Sequence, residues 1–196
     1  IEHSKSVRKG VKKSLMVVDM PFNTYKNKFQ ALKNCKKIIK ETKCDGIKLE
    51  GGKEIKEIIK HLIKNKIPVM GHIGITPQTV KGKFRHKGKS DSEKKKLVKD
   101  SKLLEEAGIF AIVLECIEKK LSKKITDIIK IPTIGIGSSN FCDGQILVTD
   151  DLLGLTDTKI KFVKKYANLK INIRKAAIKF KSDVKKRIYP SKRYSY

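Results

Sequence analysis

Long apolar runs are missing from this chain. None approaches the roughly 18–20 residues that a bilayer span needs, so no membrane partner is expected. The basic segment from Ile1 to Lys13 lacks a following apolar core and cleavage site, so a secretory signal is not expected either. It reads instead as the tail of a helix, and a chain starting with Ile reads as beginning within a longer protein. Cysteine is scarce: Cys35, Cys44, Cys116 and Cys142 are the four, with no C-x-x-C pair. That spacing argues against a structural zinc site and fits reduced thiols in a cytoplasmic protein. Each cysteine is expected to pack or line a site; none has an adjacent base in sequence to make it a nucleophile. No G-x-G-x-x-G stands in the sequence, which leaves out the dinucleotide fingerprint.

Acidic residues are few, 20 against 47 basic ones, for a formal net charge of +27. Arginine is scarcer still: Arg8, Arg85, Arg174, Arg187 and Arg193 are five of those 47, and aromatics make up 6%. Nucleic-acid surfaces draw on bidentate arginines and stacking aromatics, so nucleic acid is not the expected partner. The lysines, among them Lys56, Lys60, Lys64 and Lys66, fall between the apolar positions of helices and read as a solvated face. Such a field still draws anionic small molecules inward.

What is present is a repeated pattern. Four short apolar runs end in residues able to ligate a metal, move a proton or steady an anion. Leu15-Met16-Val17-Val18 leads to Asp19, and Gly46-Ile47-Lys48-Leu49 leads to Glu50, with Lys48 on the same side of the pleat. Ile67-Pro68-Val69-Met70-Gly71 leads to His72, and Phe110-Ala111-Ile112-Val113-Leu114 leads to Glu115. Runs of this kind between helical patterns read as buried parallel strands. Parallel strands present their carboxyl ends on one side of an α/β fold, so these residues should converge. Strands are expected at 15–19, 46–50, 67–72, 110–115, 131–136 and 145–149. Helices are expected near 27–42, with Phe29, Leu32, Cys35 and Ile39 on one side, at 53–65, from a Ser90-Asp91-Ser92-Glu93 capping box to Gly108, and at 119–129. A long amphipathic helix carries Ile173, Ala177, Phe180 and Val184. A hydrophobic content of 39% over 196 residues suits one domain, spanning 1–190 with a tail at 191–196.

Alternation of this kind fits a doubly wound sheet or a barrel. The motifs separate the two. Asp19-Met20-Pro21-Phe22, Lys48-Leu49-Glu50-Gly51-Gly52 and Gly71-His72-Ile73-Gly74-Ile75-Thr76-Pro77-Gln78 come first. Val113-Leu114-Glu115, Ile134-Gly135-Ile136-Gly137 and Cys142-Asp143-Gly144-Gln145-Ile146-Leu147-Val148 follow. In that order and spacing they resemble the ketopantoate hydroxymethyltransferase family, over about residues 3–190. The resemblance implies a (βα)8 TIM barrel from which the first strand, first helix and second strand are absent, together with a Gly-Asp-Ser motif carried there. It implies transfer of a hydroxymethyl group from 5,10-methylenetetrahydrofolate to 3-methyl-2-oxobutanoate, giving 2-dehydropantoate for pantothenate and coenzyme A biosynthesis. The family's Mg²⁺, one per subunit, and its ring-shaped homo-oligomers, of decamer type, are further implications.

By the same resemblance, Glu115 is the proton acceptor, Asp19 and Glu50 are metal ligands, and Asp19 and Lys48 contact the keto acid. His72 is placed with the substrate contacts; support of the metal shell and a structural role stay open for it. Asp143 reads as a turn residue, with a site role open. Two loops depart from the family: Gly137-Ser138-Ser139 stands for Gly-Ala-Gly, and Gly82-Lys83-Phe84-Arg85-His86-Lys87-Gly88 for Gly-Gly-Phe-Lys-Val-Gln-Gly. These bear on the fit to substrate or folate. Two other functions remain in view: another Mg²⁺-dependent barrel acting on 2-oxo acids as lyase or mutase, and an inactive barrel serving as a basic binding protein.

Overall fold

A computed structural model describes residues 1–78, 85–157 and 159–196. Of the second departing loop, Gly82, Lys83 and Phe84 lie outside the described residues. The chain resolves into two compact units, residues 1–146 and 147–196.

The first unit opens with helix α1 (Glu2–Gly10) and then alternates strand and helix: β1 (Val17–Asp19), α2 (Lys28–Thr42), β2 (Gly46–Glu50), α3 (Lys56–Lys64), β3 (Val69–Gly74), α4 (Asp91–Glu106), β4 (Ala111–Glu115), α5 (Lys119–Ile128), β5 (Thr133–Ile136) and β6 (Gly144–Gln145). All six strands form one sheet in the order β1-β2-β3-β4-β5-β6, and every pairing is parallel. The order never reverses, so there is no switch point of the doubly wound kind. Crossovers of one hand then place successive helices on one side of the sheet. That winding is the curled, singly wound sheet of barrel folds.

Local chemistry explains the boundaries. The Asn27 side chain accepts hydrogen bonds from the Phe29 and Gln30 amides at 3.1 and 2.9 Å and starts α2, which ends at Lys43 in the left-handed region. Ser90 Oγ accepts from the Glu93 amide at 3.2 Å and starts α4. The reciprocal half of the expected capping box is displaced: the Glu93 carboxylate takes the Gly88 and Lys89 amides instead, at 3.0 and 3.1 Å.

The core lies between the sheet and α2–α5. Ile47, Leu49, Val69, Ile112 and Leu114 from the strands are sealed against Ala31, Cys35, Ile59, Leu62, Leu104 and Ile125 from the helices. Burying side chains of this size contributes about 1.5–3 kcal/mol each. Phe29 does not join them. The buried side of α2 runs through Ala31, Cys35, Ile38 and Thr42, and Phe29 sits roughly 200° around the helix from Ala31 at 3.6 residues per turn. It is exposed and meets His61 edge-on. All four cysteines are buried and free.

The strand expected at 145–149 is shorter than its apolar pattern suggests. Pairing with β5 ends at Gly135↔Gln145, and Ile146 and Val148 are exposed. The second unit contains a short helix, α6 (Thr149–Leu152), and the expected long one, α7 (Leu169–Lys185), none of whose residues is buried. Among the described residues no helix is long and apolar enough to cross a membrane.

Candidate active site

Strand register brings the four run-ending residues together. Asp19 pairs with Lys48, Glu50 with His72, and Gly74 with Glu115. Because side chains alternate along a strand, Asp19, Lys48, Glu50, His72 and Glu115 all project from the sheet face opposite the helix-packed Ile47, Leu49 and Leu114. All five stand at the carboxyl ends of β1–β4.

Their polar atoms form one connected cluster. The Lys48 ammonium is 3.0 Å from Asp19 Oδ2 and 3.9 Å from Glu50 Oε1. It also donates to His72 Nδ1 at 2.9 Å. His72 Nδ1 lies 3.7 Å from Glu50 Oε1, and on the far side of the ring Nε2 lies 3.1 Å from Glu115 Oε2. No hydrogen bond closes there, and among the described residues Nε2 is a buried polar atom without a hydrogen-bond partner. Exposure is graded along the cluster: the side chains of Glu50 and His72 are 2% and 3% exposed, those of Glu115 and Lys48 17% and 18%, and that of Asp19 45%. A solute can therefore reach Asp19, Lys48 and Glu115, while Glu50 and His72 form the floor. Burial pushes the Glu50 carboxyl above its usual range, against the pull of the surrounding charges and the Gln78 amide.

Two supporting residues carried no sequence signal of their own. The Gln78 amide donates to Glu50 Oε2 at 3.2 Å, and its side chain donates to the Met20 carbonyl at 3.0 Å. The segment after β3 is thus tied over the ends of β1 and β2. Gln78 stands inside a quoted motif, but a loop glutamine has no local periodicity to announce a partner 58 residues away. Tyr25 OH donates to the Glu50 carbonyl at 3.4 Å, and burial raises its phenol.

The altered loop after β5 also reaches the site. Ser138 Oγ donates to the Leu114 carbonyl at 2.7 Å and accepts from the Ile117 amide at 3.0 Å, bracketing Glu115 from both sides. Alanine, the residue it replaces in the family pattern, could make neither bond. Gly74 allows the strand ends to meet: its φ is +106°, and a Cβ there would lie 2.2 Å from the Glu115 carbonyl oxygen. Asp143 accepts from the Thr133 amide and hydroxyl at 2.8 and 2.9 Å, a structural clasp between β5 and β6. Burial pushes the Cys116 thiol up to about 11 and the Cys35 thiol up to about 12, which leaves both as packing groups at neutral pH.

Asp19 Oδ2 and Glu50 Oε1 converge on one cationic point, the Lys48 ammonium. That point is filled by the ammonium itself; what the two side chains offer Mg²⁺ is their donor class, hard anionic oxygens, since this ion takes few protein carboxylates and keeps waters. Among the described residues, no group of three or more His, Cys, Asp and Glu is arranged to hold a metal.

Comparison with known proteins bears on what these groups do. The sequence pattern of a family described as ketopantoate hydroxymethyltransferase matches residues 1–192. A protein from Pelagibacter ubique named 3-methyl-2-oxobutanoate hydroxymethyltransferase is 62% identical over 196 residues, covering 100% of this chain and 76% of that protein. Proteins of the same name from Clostridium botulinum and Caulobacter vibrioides are 49% and 44% identical, each covering 100% of this chain and 73% and 72% of their own lengths. Similarity at this level, running through every strand that carries a site residue, shows that the chain belongs to the ketopantoate hydroxymethyltransferase family of transferase enzymes.

Proposed function

We propose that this chain transfers a hydroxymethyl group from 5,10-methylenetetrahydrofolate to 3-methyl-2-oxobutanoate, and that Glu115, Lys48, Asp19, Glu50 and His72 carry the chemistry. The observation that supports this most is the single hydrogen-bonded and ion-paired cluster joining these side chains across four strand ends.

The reaction begins with loss of the proton on the carbon next to the ketone. Glu115 is the partly exposed carboxylate of the cluster that is not engaged by Lys48, so it is free to take that proton. A positioned general base contributes about 10²–10⁴-fold. The Lys48 ammonium, held between Asp19 and His72, faces the negative charge that moves onto the keto oxygen. A donor fixed in a partly desolvated site stabilises such charge better than water does. Asp19 and Glu50 are the residues that would hold Mg²⁺, which when bound supplies Lewis-acid stabilisation at the keto acid's oxygens. The carbanion then bonds to the methylene carbon of the folate as one of its two carbon–nitrogen bonds breaks; water replaces the second nitrogen and leaves its hydroxyl on that carbon, and the water's other proton and the one taken by Glu115 go to the two nitrogens of the departing tetrahydrofolate.

The sheet fits the same reading. Six parallel strands in unbroken order are a substantial part of a (βα)8 barrel, whose active sites sit at the carboxyl ends of the strands. The free edges of β1 and β6 are where two further strands would close it. Assembly into a ring of like subunits and residence in the cytoplasm complete the proposal.

The test is to incubate the protein with 3-methyl-2-oxobutanoate and Mg²⁺ in deuterated water, and to follow the signal of the proton next to the ketone. Exchange with Mg²⁺ alone, and 2-dehydropantoate only when 5,10-methylenetetrahydrofolate is added, is the expected result. A different product without folate identifies a lyase or mutase. No exchange, with salt-sensitive binding to nucleic acid, identifies a binding protein.

A further inference from the structure

We propose that the loops after β1 and β3 form the subsite for the pterin ring of the folate cosubstrate, with the Phe22 ring as its stacking face and Gln78 Oε1 as the acceptor for a pterin N–H. This rests on the reading of 5,10-methylenetetrahydrofolate as the one-carbon donor. The transferred carbon is bonded to a pterin nitrogen, so the ring has to lie beside the keto acid when the new bond forms. A flat aromatic group with N–H donors at its edge then needs a π-face and an acceptor close to Asp19 and Lys48.

The acceptor is Gln78. Its backbone amide donates to Glu50 Oε2 at 3.2 Å, and its side-chain Nε2 donates to the Met20 carbonyl at 3.0 Å. A carbonyl only accepts, so the donor end of the side-chain amide has to face Met20 and the oxygen is left over. Among the described residues Oε1 is a buried atom without a hydrogen-bond partner, an arrangement that costs free energy until a donor arrives. Gln78 as a whole is half-buried, which puts its amide at the edge of the site and not in the core. The keto acid cannot be the donor, because its carboxylate and ketone oxygens only accept. The pterin carries N–H groups on its ring and on its amino substituent.

The π-face is Phe22, three residues beyond Asp19 and two beyond the Met20 carbonyl that Gln78 holds. Phe22 is 55% exposed, yet the loop that carries it is fixed. Met20 is fully buried, and its amide donates to the Lys48 carbonyl at 3.0 Å. Thr24 Oγ1 donates to the Pro21 carbonyl at 2.6 Å, and the Asn34 and Gln30 side chains donate to the Thr24 and Asn23 carbonyls at 2.7 and 3.2 Å. A ring exposed on a loop so tied can receive a partner at little cost in ordering. The other large exposed phenylalanines among the described residues already have partners. Phe29 meets His61 and Lys28, Phe141 meets the Lys119 and Lys123 ammonium groups, and Phe180 meets Tyr189. Among the described residues neither a ring nor an ammonium group packs on Phe22.

The experiment uses the whole chain with Mg²⁺ and divides the cosubstrate into two probes: tetrahydropterin, the ring alone, and p-aminobenzoylglutamate, the tail alone. With the wild type, tetrahydropterin should inhibit competitively against folate, and p-aminobenzoylglutamate should compete far more weakly. Phe22→Leu, apolar but without a π-face, should raise the folate KM and the tetrahydropterin inhibition constant together by about 10-fold, and Phe22→Tyr should hold both within about three-fold of wild type. Gln78→Leu, which removes the acceptor, should raise both by about 3–10-fold. Competition by the tail alone, or a Phe22→Leu protein with the wild-type folate KM, overturns the proposal. Phe22 is exposed, so its replacement empties no core, and the two probes decide on the wild type even if Gln78→Leu does not fold. A wild type that exchanges the keto acid's proton but makes no product with folate refutes the folate reading and this subsite with it. A wild type that makes product, with variants no different from it, refutes the subsite alone.

Discussion

Replacing Gly74 by alanine should damage the fold and the site together. Gly74 is the last residue of β3 and pairs with Glu115. Its φ of +106° is a conformation that residues with a Cβ rarely adopt, and the added Cβ would stand 2.2 Å from the Glu115 carbonyl oxygen and 2.8 Å from Ile117 Cγ1. Real Cβ contacts essentially never fall below 3.0 Å, so the ends of β3 and β4 must part or Gly74 must rotate. Either change threatens the bond from the Ile75 amide to the Glu115 carbonyl at 2.9 Å. Backbone strain of about 1–3 kcal/mol and a lost hydrogen bond of about 0.5–1.5 kcal/mol together give roughly 3 kcal/mol of destabilisation. With a urea dependence of about 1–3 kcal/mol per molar, the unfolding midpoint should fall by about 1–3 M. The folded fraction should also exchange the substrate proton more slowly, since Glu115 moves with its strand end. Gly10→Ala is the control: nothing lies within 4 Å of the added atom, and the change should be neutral or slightly stabilising. A Gly74→Ala protein as stable as the Gly10→Ala one would refute the reasoning.

Three further outcomes can be checked. Asp100→Asn should cost about 1–3 kcal/mol in thermal unfolding, because the carboxylate is 3% exposed and accepts both the Lys53 amide at 3.1 Å and the Lys96 ammonium at 2.7 Å; an unchanged midpoint contradicts this. The Arg85 guanidinium, with the Gly88 and Lys89 amides, holds the Glu93 carboxyl down at about 2 from an ordinary 4.5. Its contribution is therefore complete above about pH 4.5 and lost as pH falls toward 2, so Glu93→Gln should flatten the acid side of the stability profile, while a profile identical to wild type would argue against the pairing. Lys48→Gln should lower kcat/KM by an amount equivalent to about 2–4 kcal/mol at any salt. Lys60→Gln and Lys64→Gln on α3 should change it only a few-fold and mainly at low salt, where the Debye length reaches about 30 Å; equal losses would mean that the general positive field matters more than the site.

Much of this arrangement was legible because its signals are periodic. Apolar runs ending in Asp19, Glu50, His72 and Glu115 announce parallel strands and their open ends, and the helical spacing of Ile55, Ile58, Ile59, Leu62 and Ile63 announces α3, of whose residues Ile59 and Leu62 are buried. What escaped is what depends on distant partners. Asp100 sits in the lysine-rich Asp-Ser-Glu-Lys-Lys-Lys-Leu-Val-Lys-Asp stretch and looks like a surface acid. It is buried because it caps the turn at Lys53–Ile55, 47 residues earlier in the chain. Ser138 looks like a crowding departure from a small-residue loop, yet its hydroxyl ties together the residues flanking Glu115. The apolar alternation of Ile146 and Val148 suggests a longer last strand, but the ladder with β5 stops at Gln145. Hydropathy fixes the face a residue would prefer; pairing requires a neighbour, which hydropathy does not supply.

The central claim is that Glu115 removes the proton next to the ketone. Its most direct test is deuterium incorporation into 3-methyl-2-oxobutanoate by Glu115→Gln, at saturating Mg²⁺ and beside wild type. The amide keeps the shape and removes the base, so keto-acid binding should persist while exchange falls by at least about 10²-fold. Exchange at the wild-type rate would show that another group takes the proton and would contradict the account.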